Sequence, residues 1–415
     1  MIASLLGLTL LQTDLSAVLN DPALDGGLVS AYVCKLDGTQ IFERNSGTRV
    51  VPASNQKLIS TTFAMSTLGP GKRMETKFWR EPEGIVIFSP GDPSLTRFDM
   101  QVAGQKLGVK PTDTLFLRQA YQQGVPDGWE FDDLPNKYAP RITAFSVDKA
   151  AFTLESEKGA PMPLPFAYGV QVTHHPADVG DKVTYDPFTG EITVRGPLSE
   201  VRAKLDTLSQ PDPARVAGAC LGSWRLAPIQ SLPARVPDYT LAGKTMGEVM
   251  KECLVDSDNY HAEHFMLLAA SSQGELPAKP YPDARKRATA FIASTGAKVE
   301  DFNIQDGSGM SRHNLVTTRG LAQLLCWVKK QPWATQYESY LVKANEGTLK
   351  GRMADAPSFR GKTGTLDMVV ALSGYVKNAV GETLVASVIL NHSTSPSSKQ
   401  RAVVDRFMAT LEKSR

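Results

Sequence analysis

Apolar residues are spaced as in a strand over Leu28-Val29-Ser30-Ala31-Tyr32-Val33-Cys34, and Gln40-Ile41-Phe42-Glu43 reads as its partner across an Asp37-Gly38 turn. After Val50-Val51-Pro52 the spacing becomes helical. Leu58, Met65 and Leu68 fall among the apolar positions of a helix opened by Ser54 and stopped by Gly69-Pro70. A second helix is marked by a Thr245/Glu248 capping box, with Met246, Val249, Met250, Cys253 and Leu254 on its apolar face. Ser257-Asp258-Asn259 breaks it before another helix near Tyr260. Lys362–Thr365, Ala371–Val376 and Leu384–Leu390 read as successive strands, and an amphipathic helix follows from about Ser397. The stretch 75–240 is rich in strands and loops, with a clear hairpin of Lys182–Tyr185 and Glu191–Arg195. The whole reads as an α+β, multidomain chain.

Length agrees, since 415 residues exceed one compact core and predict two or three domains. With 42% hydrophobic and 21% charged residues and a formal net charge of +2, the composition is that of a globular protein with no polyanion footprint. Nucleic acid is therefore not an expected partner. Cys34, Cys220, Cys253 and Cys326 are far apart in sequence and read as buried thiols, with a disulfide between distant positions left open. Residues 1–14 include an apolar run, Ile2–Leu11, of signal-peptide length. It lacks a basic leading region, the first lysine being Lys35, and has no clear cleavage site. An abbreviated secretion signal is expected there, the alternative being an ordinary helix packed on the domain. No stretch has membrane-spanning length.

Three short elements carry the chemistry: Ser54-Asn55-Gln56-Lys57, Ser257-Asp258-Asn259 and Lys362-Thr363-Gly364-Thr365. Each alone is a weak match. In this order they form the active-site set of serine acyl-transferases of the penicillin-binding and β-lactamase kind. A serine hydroxyl needs a base to take its proton. Residues three apart on a helix share a face, so Lys57 is placed to reach Ser54. The amine must be neutral to act, which requires burial and a second cation nearby, for which Lys362 is the candidate. Asn259 is expected to position Lys57 and the substrate amide, and Ser257 to relay a proton to the leaving amine. The strand with Thr363, Gly364 and Thr365 binds an acyl substrate through its main chain, Gly364 permitting close approach. The N–H groups of Ser54 and Thr365 are the natural oxyanion hole.

Plainer readings exist for each element: a helix cap at Ser54, a polar turn at Ser257–Asn259, an exposed hairpin edge at Lys362–Gly364. A rival Ser-x-x-Lys, Ser146 to Lys149, lies in a β-forming stretch from Ile142 to Leu154. Residues three apart on a strand face opposite sides, and the pair is rejected. His261-Ala262-Glu263-His264 does not have the metalloprotease spacing, so no metal site and no cofactor are expected.

With these elements the chain resembles the class C low-molecular-mass penicillin-binding proteins, the D-Ala-D-Ala carboxypeptidase/endopeptidase family. The resemblance includes Val51-Pro52-Ala53-Ser54, Gly91-Asp92-Pro93, Gly128-Trp129 with Asp132-Asp133, Ala262-Glu263-His264 and Asp306-Gly307-Ser308-Gly309-Met310-Ser311-Arg312. It implies a penicillin-binding/β-lactamase-like transpeptidase fold, an antiparallel sheet with flanking helices and a helical cluster. It also implies that Met310 and Arg312, with Trp129 and Asp132, line a pocket for the third residue of a peptidoglycan stem peptide. Lys137-Tyr138 stands where the family often has paired tyrosines.

Roughly 200 residues separate the first and second motifs, enough to hold a separate domain. The expected organisation is a catalytic domain split between 1–74 and 241–415, with accessory structure inserted at 75–240. The resemblance implies two accessory domains there, one nested in the other. The expected function is a serine-type D-alanyl-D-alanine carboxypeptidase/endopeptidase working through a Ser54 acyl-enzyme outside the cytoplasm. Its partners would be peptidoglycan peptides, and β-lactam antibiotics as covalent inhibitors. A β-lactamase or esterase with the same machinery, and a non-catalytic wall-binding protein on the same fold, are the alternatives.

Overall fold

The structure is a computed structural model describing residues 2–164, 167–180, 182–277 and 279–415. Residue 1 of the N-terminal segment read as a secretion signal lies outside them. The chain divides into two compact units. One comprises the residues up to Gly69 together with Met250–Met266 and Ala284–Arg415; the other comprises Pro70–Val249 and Leu267–Asp283. Each is described by itself.

The first unit is built on a sheet of six strands, ordered Val342–Lys343, Arg360–Leu366, Val369–Lys377, Thr383–Asn391, Leu28–Lys35, Gln40–Arg44. All its pairings are antiparallel. Alternation along Val369–Lys377 separates two environments. Val370, Leu372 and Val376 enter an apolar core with Phe42, Val404, Phe407 and Leu411. The last three come from the C-terminal helix Ser397–Lys413, whose spacing was legible in the sequence. The N-terminal helix Ile2–Val18 brings Leu11 and Leu15 into this core. Ser373 and Tyr375 point to the opposite face. Ser373 Oγ accepts from Asn55 Nδ2 at 3.0 Å and meets Ser387 Oγ at 2.8 Å, and the Tyr375 hydroxyl donates to Leu325 O at 2.8 Å. These contacts tie the sheet to the Ala53–Gln56 turn and to the helix Thr318–Lys329.

All four cysteines are free and buried. Cys34, on a strand, and Cys326, on that last helix, lie with their sulfurs 3.6 Å apart.

In the second unit, five strands form a mixed sheet in the order Leu226–Pro228, Thr114–Gln119, Gly84–Ser89, Arg73–Glu81, Tyr239–Thr245. Its core holds Phe78, Ile85, Leu115, Phe145 and Leu241. A second core, with Phe152, Leu154, Tyr185, Val194 and Leu208, comes from chain that lies between the two halves of the first in sequence. The stretch read as strands and loops also contains two helices, Arg97–Leu107 and Pro213–Leu221. Thr96 and Asp99 close a reciprocal capping box at the start of the former. The two pack so closely that a Cβ at Gly104 would overlap the Leu221 carbonyl. Pattern also misplaces the rival motif. The strand ends at Thr143, and Asp148–Ala150 form a 3-10 turn with φ of 51°, 58° and 51°, so Ser146 precedes a left-handed turn with Lys149 at its centre, and the two do not alternate along a strand.

Candidate active site

The motif Ser54–Lys57 does not lie on one regular helix. Ala53–Gln56 form a 3-10 turn and Lys57 is the first residue of the α-helix Lys57–Leu68. The tighter 3-10 turn brings residues three apart almost into register, and Lys57 Nζ donates to Ser54 Oγ at 2.8 Å. Ala53 has φ 46°, a left-handed value uncommon for a residue with a side chain. Its carbonyl sits where a Cβ on Gly309 would be, so the turn depends on a glycine 256 residues later.

The second motif is a helix junction. Met246–Asp256 ends, Ser257 takes φ 61°, and Asn259 begins the helix Asn259–Ser271. Asp258 Oδ1 accepts from His261 N–H at 2.9 Å and caps the new helix. Asn259 Oδ1 then accepts from Lys57 Nζ at 2.6 Å.

The third motif lies on the strand Arg360–Leu366. Lys362 Nζ donates to Ser257 Oγ at 2.9 Å and to the Thr363 carbonyl at 2.8 Å. Thr363 Oγ1 donates to Thr348 Oγ1 at 2.8 Å. Thr365 stands opposite Val370 in the sheet. A Cβ on Gly364 would lie 2.9 Å from Pro52 O and 3.1 Å from Ser54 N, which puts this strand against the nucleophile's own backbone.

Both lysines are completely buried. Burial holds the Lys57 amine below the ordinary lysine range, opposed by Cys253, Asp306, Glu263 and Asp258. Lys362 lies well below that range, through burial first and the charge of Lys57 second. The sequence called for burial and a second cation, Lys362, to lower Lys57. Burial is the lowering cause at Lys57, and the repulsion between the two amines is expressed at Lys362.

One partner of Lys57 had no signal in the three motifs: the Ser308 carbonyl accepts from Nζ at 2.8 Å. The two glycines around Ser308 were its only trace. A Cβ on Gly307 would overlap the Ala262 carbonyl, so the loop lies directly on the Asn259–Ser271 helix.

Met310 is buried in the same loop, and Arg312 Nη1 donates to the Asp367 carbonyl at 2.9 Å, in the turn that ends the Lys362 strand. Trp129 and Asp132 belong to the second unit. Trp129 is buried, and Asp132 is exposed in the 3-10 turn Phe131–Asp133. Among the described residues no group of three or more His, Cys, Asp and Glu side chains is arranged to hold a metal ion. No helix among them is long and apolar enough to cross a membrane.

A partly exposed serine joined to a fully buried lysine, a second serine–lysine pair beside it and a strand lying along the first serine's backbone define a serine acyl-transfer site on a penicillin-binding/β-lactamase-like fold. The chain belongs to the D-Ala-D-Ala carboxypeptidase 3 (S13) family, whose model matches residues 11–175 and 237–411. It is 27% identical to a D-alanyl-D-alanine carboxypeptidase of an Actinomadura species, over 94% of this chain and 82% of the relative. It is 23% identical to the D-alanyl-D-alanine carboxypeptidase DacB of Haemophilus influenzae, over 93% and 91%. The crystal structure of penicillin-binding protein 4 from Haemophilus influenzae superposes with a TM-score of 0.79 at 19% identity, covering 96% of this chain and 98% of that one. A predatory peptidoglycan endopeptidase of Bdellovibrio bacteriovorus superposes at 0.55 with 14% identity, covering 94% of each chain.

Proposed function

We propose that Ser54 is the nucleophile of a DD-peptidase that attacks the carbonyl of the penultimate D-Ala of a peptidoglycan stem peptide. Lys57 is its general base. The observation that carries this reading is the set of three contacts at Lys57 Nζ, at 2.8, 2.6 and 2.8 Å. A neutral amine has two N–H donors and one lone pair. Asn259 Oδ1 and Ser308 O can only accept, and together they take both N–H groups. The lone pair is left facing Ser54, whose hydroxyl then donates along the same 2.8 Å line. As the serine oxygen bonds to the carbonyl carbon, its proton passes to Lys57. The N–H groups of Ser54 and Thr365 receive the developing oxyanion. The proton taken by Lys57 is relayed through Ser257, held by Lys362, to the departing D-Ala amine. This leaves Ser257 a hydroxyl and Lys57 neutral again, and water releases the acyl-enzyme by the reverse route.

Arg312 and Met310 read the stem peptide's third residue, with the guanidinium partnering a carboxylate or other polar tip. β-Lactams present an equivalent acyl group and acylate Ser54 covalently. Because the substrate belongs to the cell wall, the enzyme works in the cell envelope, outside the cytoplasm.

Incubation with purified muropeptides and mass analysis of the products is the test. Loss of one D-Ala from pentapeptides by the wild type, and none by Ser54→Ala, is expected. Unchanged muropeptides with the wild type, or full turnover by Ser54→Ala, would defeat the reading.

A further inference from the structure

The reaction above leaves two fully buried carboxylates, Glu263 and Asp306, without a role. Glu263 lies one helical turn beyond Asn259, on the same face. Its Oε2 accepts from Gly307 N–H at 2.9 Å and its Oε1 from Ser308 N–H at 2.8 Å. Asp306 Oδ1 accepts from Gly309 N–H at 2.7 Å and Oδ2 from Ser311 N–H at 2.7 Å, and Asn314 Nδ2 donates to Oδ1 at 2.7 Å. Gly309 N–H and Ser308 C=O are the two ends of one planar peptide group. The peptide that offers its oxygen to Lys57 is thus gripped through its nitrogen by Asp306, and the two peptides before it by Glu263. Ser60 Oγ donates to the Gly307 carbonyl at 2.7 Å and Gln56 Nε2 to the Asp306 carbonyl at 3.1 Å, closing the loop onto the Lys57 helix.

We infer that Glu263 and Asp306 are positioning residues for acylation: Asp306 clamps the Ser308–Gly309 peptide and Glu263 the two peptides before it, and together they set the direction in which the Lys57 amine presents its lone pair to Ser54. The inference rests on Lys57 being the base. Without the clamp the Ser308 carbonyl turns, an N–H of Lys57 loses its acceptor, and the lone pair is no longer held on the serine hydroxyl. A misplacement of about 1 Å at such a point costs on the order of a hundredfold in rate.

The two carboxylates also act through charge. The titratable groups facing Lys57 are Lys362 on its strand, Cys253 on the helix before the junction, Asp258 in the junction, Glu263 on the helix after it and Asp306 in the loop. Glu263 and Asp306 favour the protonated amine. Neutralising either lowers the proton affinity of Lys57 and moves the acid limb of the acylation profile to lower pH. A merely structural role would reduce the rate and the melting temperature but leave the limb in place.

The test is the pH dependence of the second-order rate of acylation by a fluorescent penicillin for wild type, Glu263→Gln, Asp306→Asn and Glu263→Asp, with melting temperatures. Both isosteric amides should acylate roughly tenfold to a hundredfold more slowly at the plateau. Their acid limb should lie lower by about half a pH unit or more. Glu263→Asp keeps the charge but shortens the reach, so its limb should stay with the wild type while its plateau falls. If one amide variant does not fold, the other and Glu263→Asp still decide. Plateau rates within about twofold of wild type, or reduced rates with an unmoved limb in the amides, would overturn the inference. Lys57→Arg separates the two levels. Near-normal acylation by that variant defeats Lys57 as base and this inference with it, whereas an inert Lys57→Arg beside wild-type-like amides defeats the inference alone.

Discussion

The α-carbon of Gly364 faces the backbone nitrogen of Ser54 so closely that a single added methyl would stand 3.1 Å from that nitrogen and 2.9 Å from the Pro52 carbonyl. Neither neighbour is the mobile end of a side chain, so both backbones would have to give way. This contact sets the Arg360–Leu366 strand against the backbone of Ser54.

Gly364→Ala is therefore expected to push the Ser54 and Thr365 amides apart and slow acylation by roughly a hundredfold, about what loss of one oxyanion donor costs. Stopped-flow measurement with a chromogenic cephalosporin would show it. An unchanged rate would mean that this strand does not help to bind the oxyanion.

Lys57→Arg should reduce acylation by about a thousandfold or more, because a guanidinium stays protonated and cannot take the serine proton. In the wild type the rate should rise with pH through a limb below the ordinary lysine range, since burial lowers the Lys57 amine. Below that limb the amine is protonated and the base is lost, so activity falls as the solution is acidified. A bell whose acid limb is the same in Lys57→Arg would assign it to another group.

Lys362→Met tests the neighbouring amine. Because the repulsion between the two amines falls on Lys362, removing that amine should leave the acid limb set by Lys57 nearly in place. Ser257 loses its 2.9 Å donor, and the plateau should drop by roughly a hundredfold. A limb that moves to higher pH would show that Lys362 carries its charge against Lys57 in the wild type.

Arg312→Ala should lower kcat/KM for a stem peptide with a diaminopimelate-type third residue by roughly tenfold to a hundredfold, the worth of one hydrogen bond to a charged group. Penicillin acylation, which lacks that side chain, should be nearly unaffected. Equal losses for both, with a lower melting temperature, would mean that Arg312 serves chiefly to hold Asp367 O.

The elements around the three motifs were legible because each has a local cause. The Thr245/Glu248 capping box forms, with Thr245 N–H donating to Glu248 Oε2 at 2.8 Å. The strands Val369–Lys377 and Thr383–Asn391 follow their apolar runs, and Arg360–Leu366 pairs beside them. What stayed hidden depends on distant partners. Main-chain acceptors such as the Ser308 carbonyl have no residue-type signature, and Glu263 takes its place only once the 306–312 loop settles on its helix. The helices Arg97–Leu107 and Pro213–Leu221 each have a cap signal, Thr96 and Asp212, but at 11 and 9 residues they are short enough to be lost in a strand-rich stretch.

The sheet order also governs when this protein can begin to work. Leu28–Lys35 pairs along its full length with Thr383–Asn391, Leu28 opposite Asn391 and Lys35 opposite Leu384. The Asn391 amide then brackets Val51, accepting from its N–H at 2.8 Å and donating to its carbonyl at 3.1 Å, three residues before the nucleophile. Chains are made from the N-terminus, and pairing across so long a separation is slow. The strand made near the start must wait for one made near the end, with the nucleophile's turn unanchored meanwhile. Until the last strand of the sheet closes on one of its first, the segment before Ser54 lacks its Asn391 bracket, and wall-cutting activity is expected only from the finished chain.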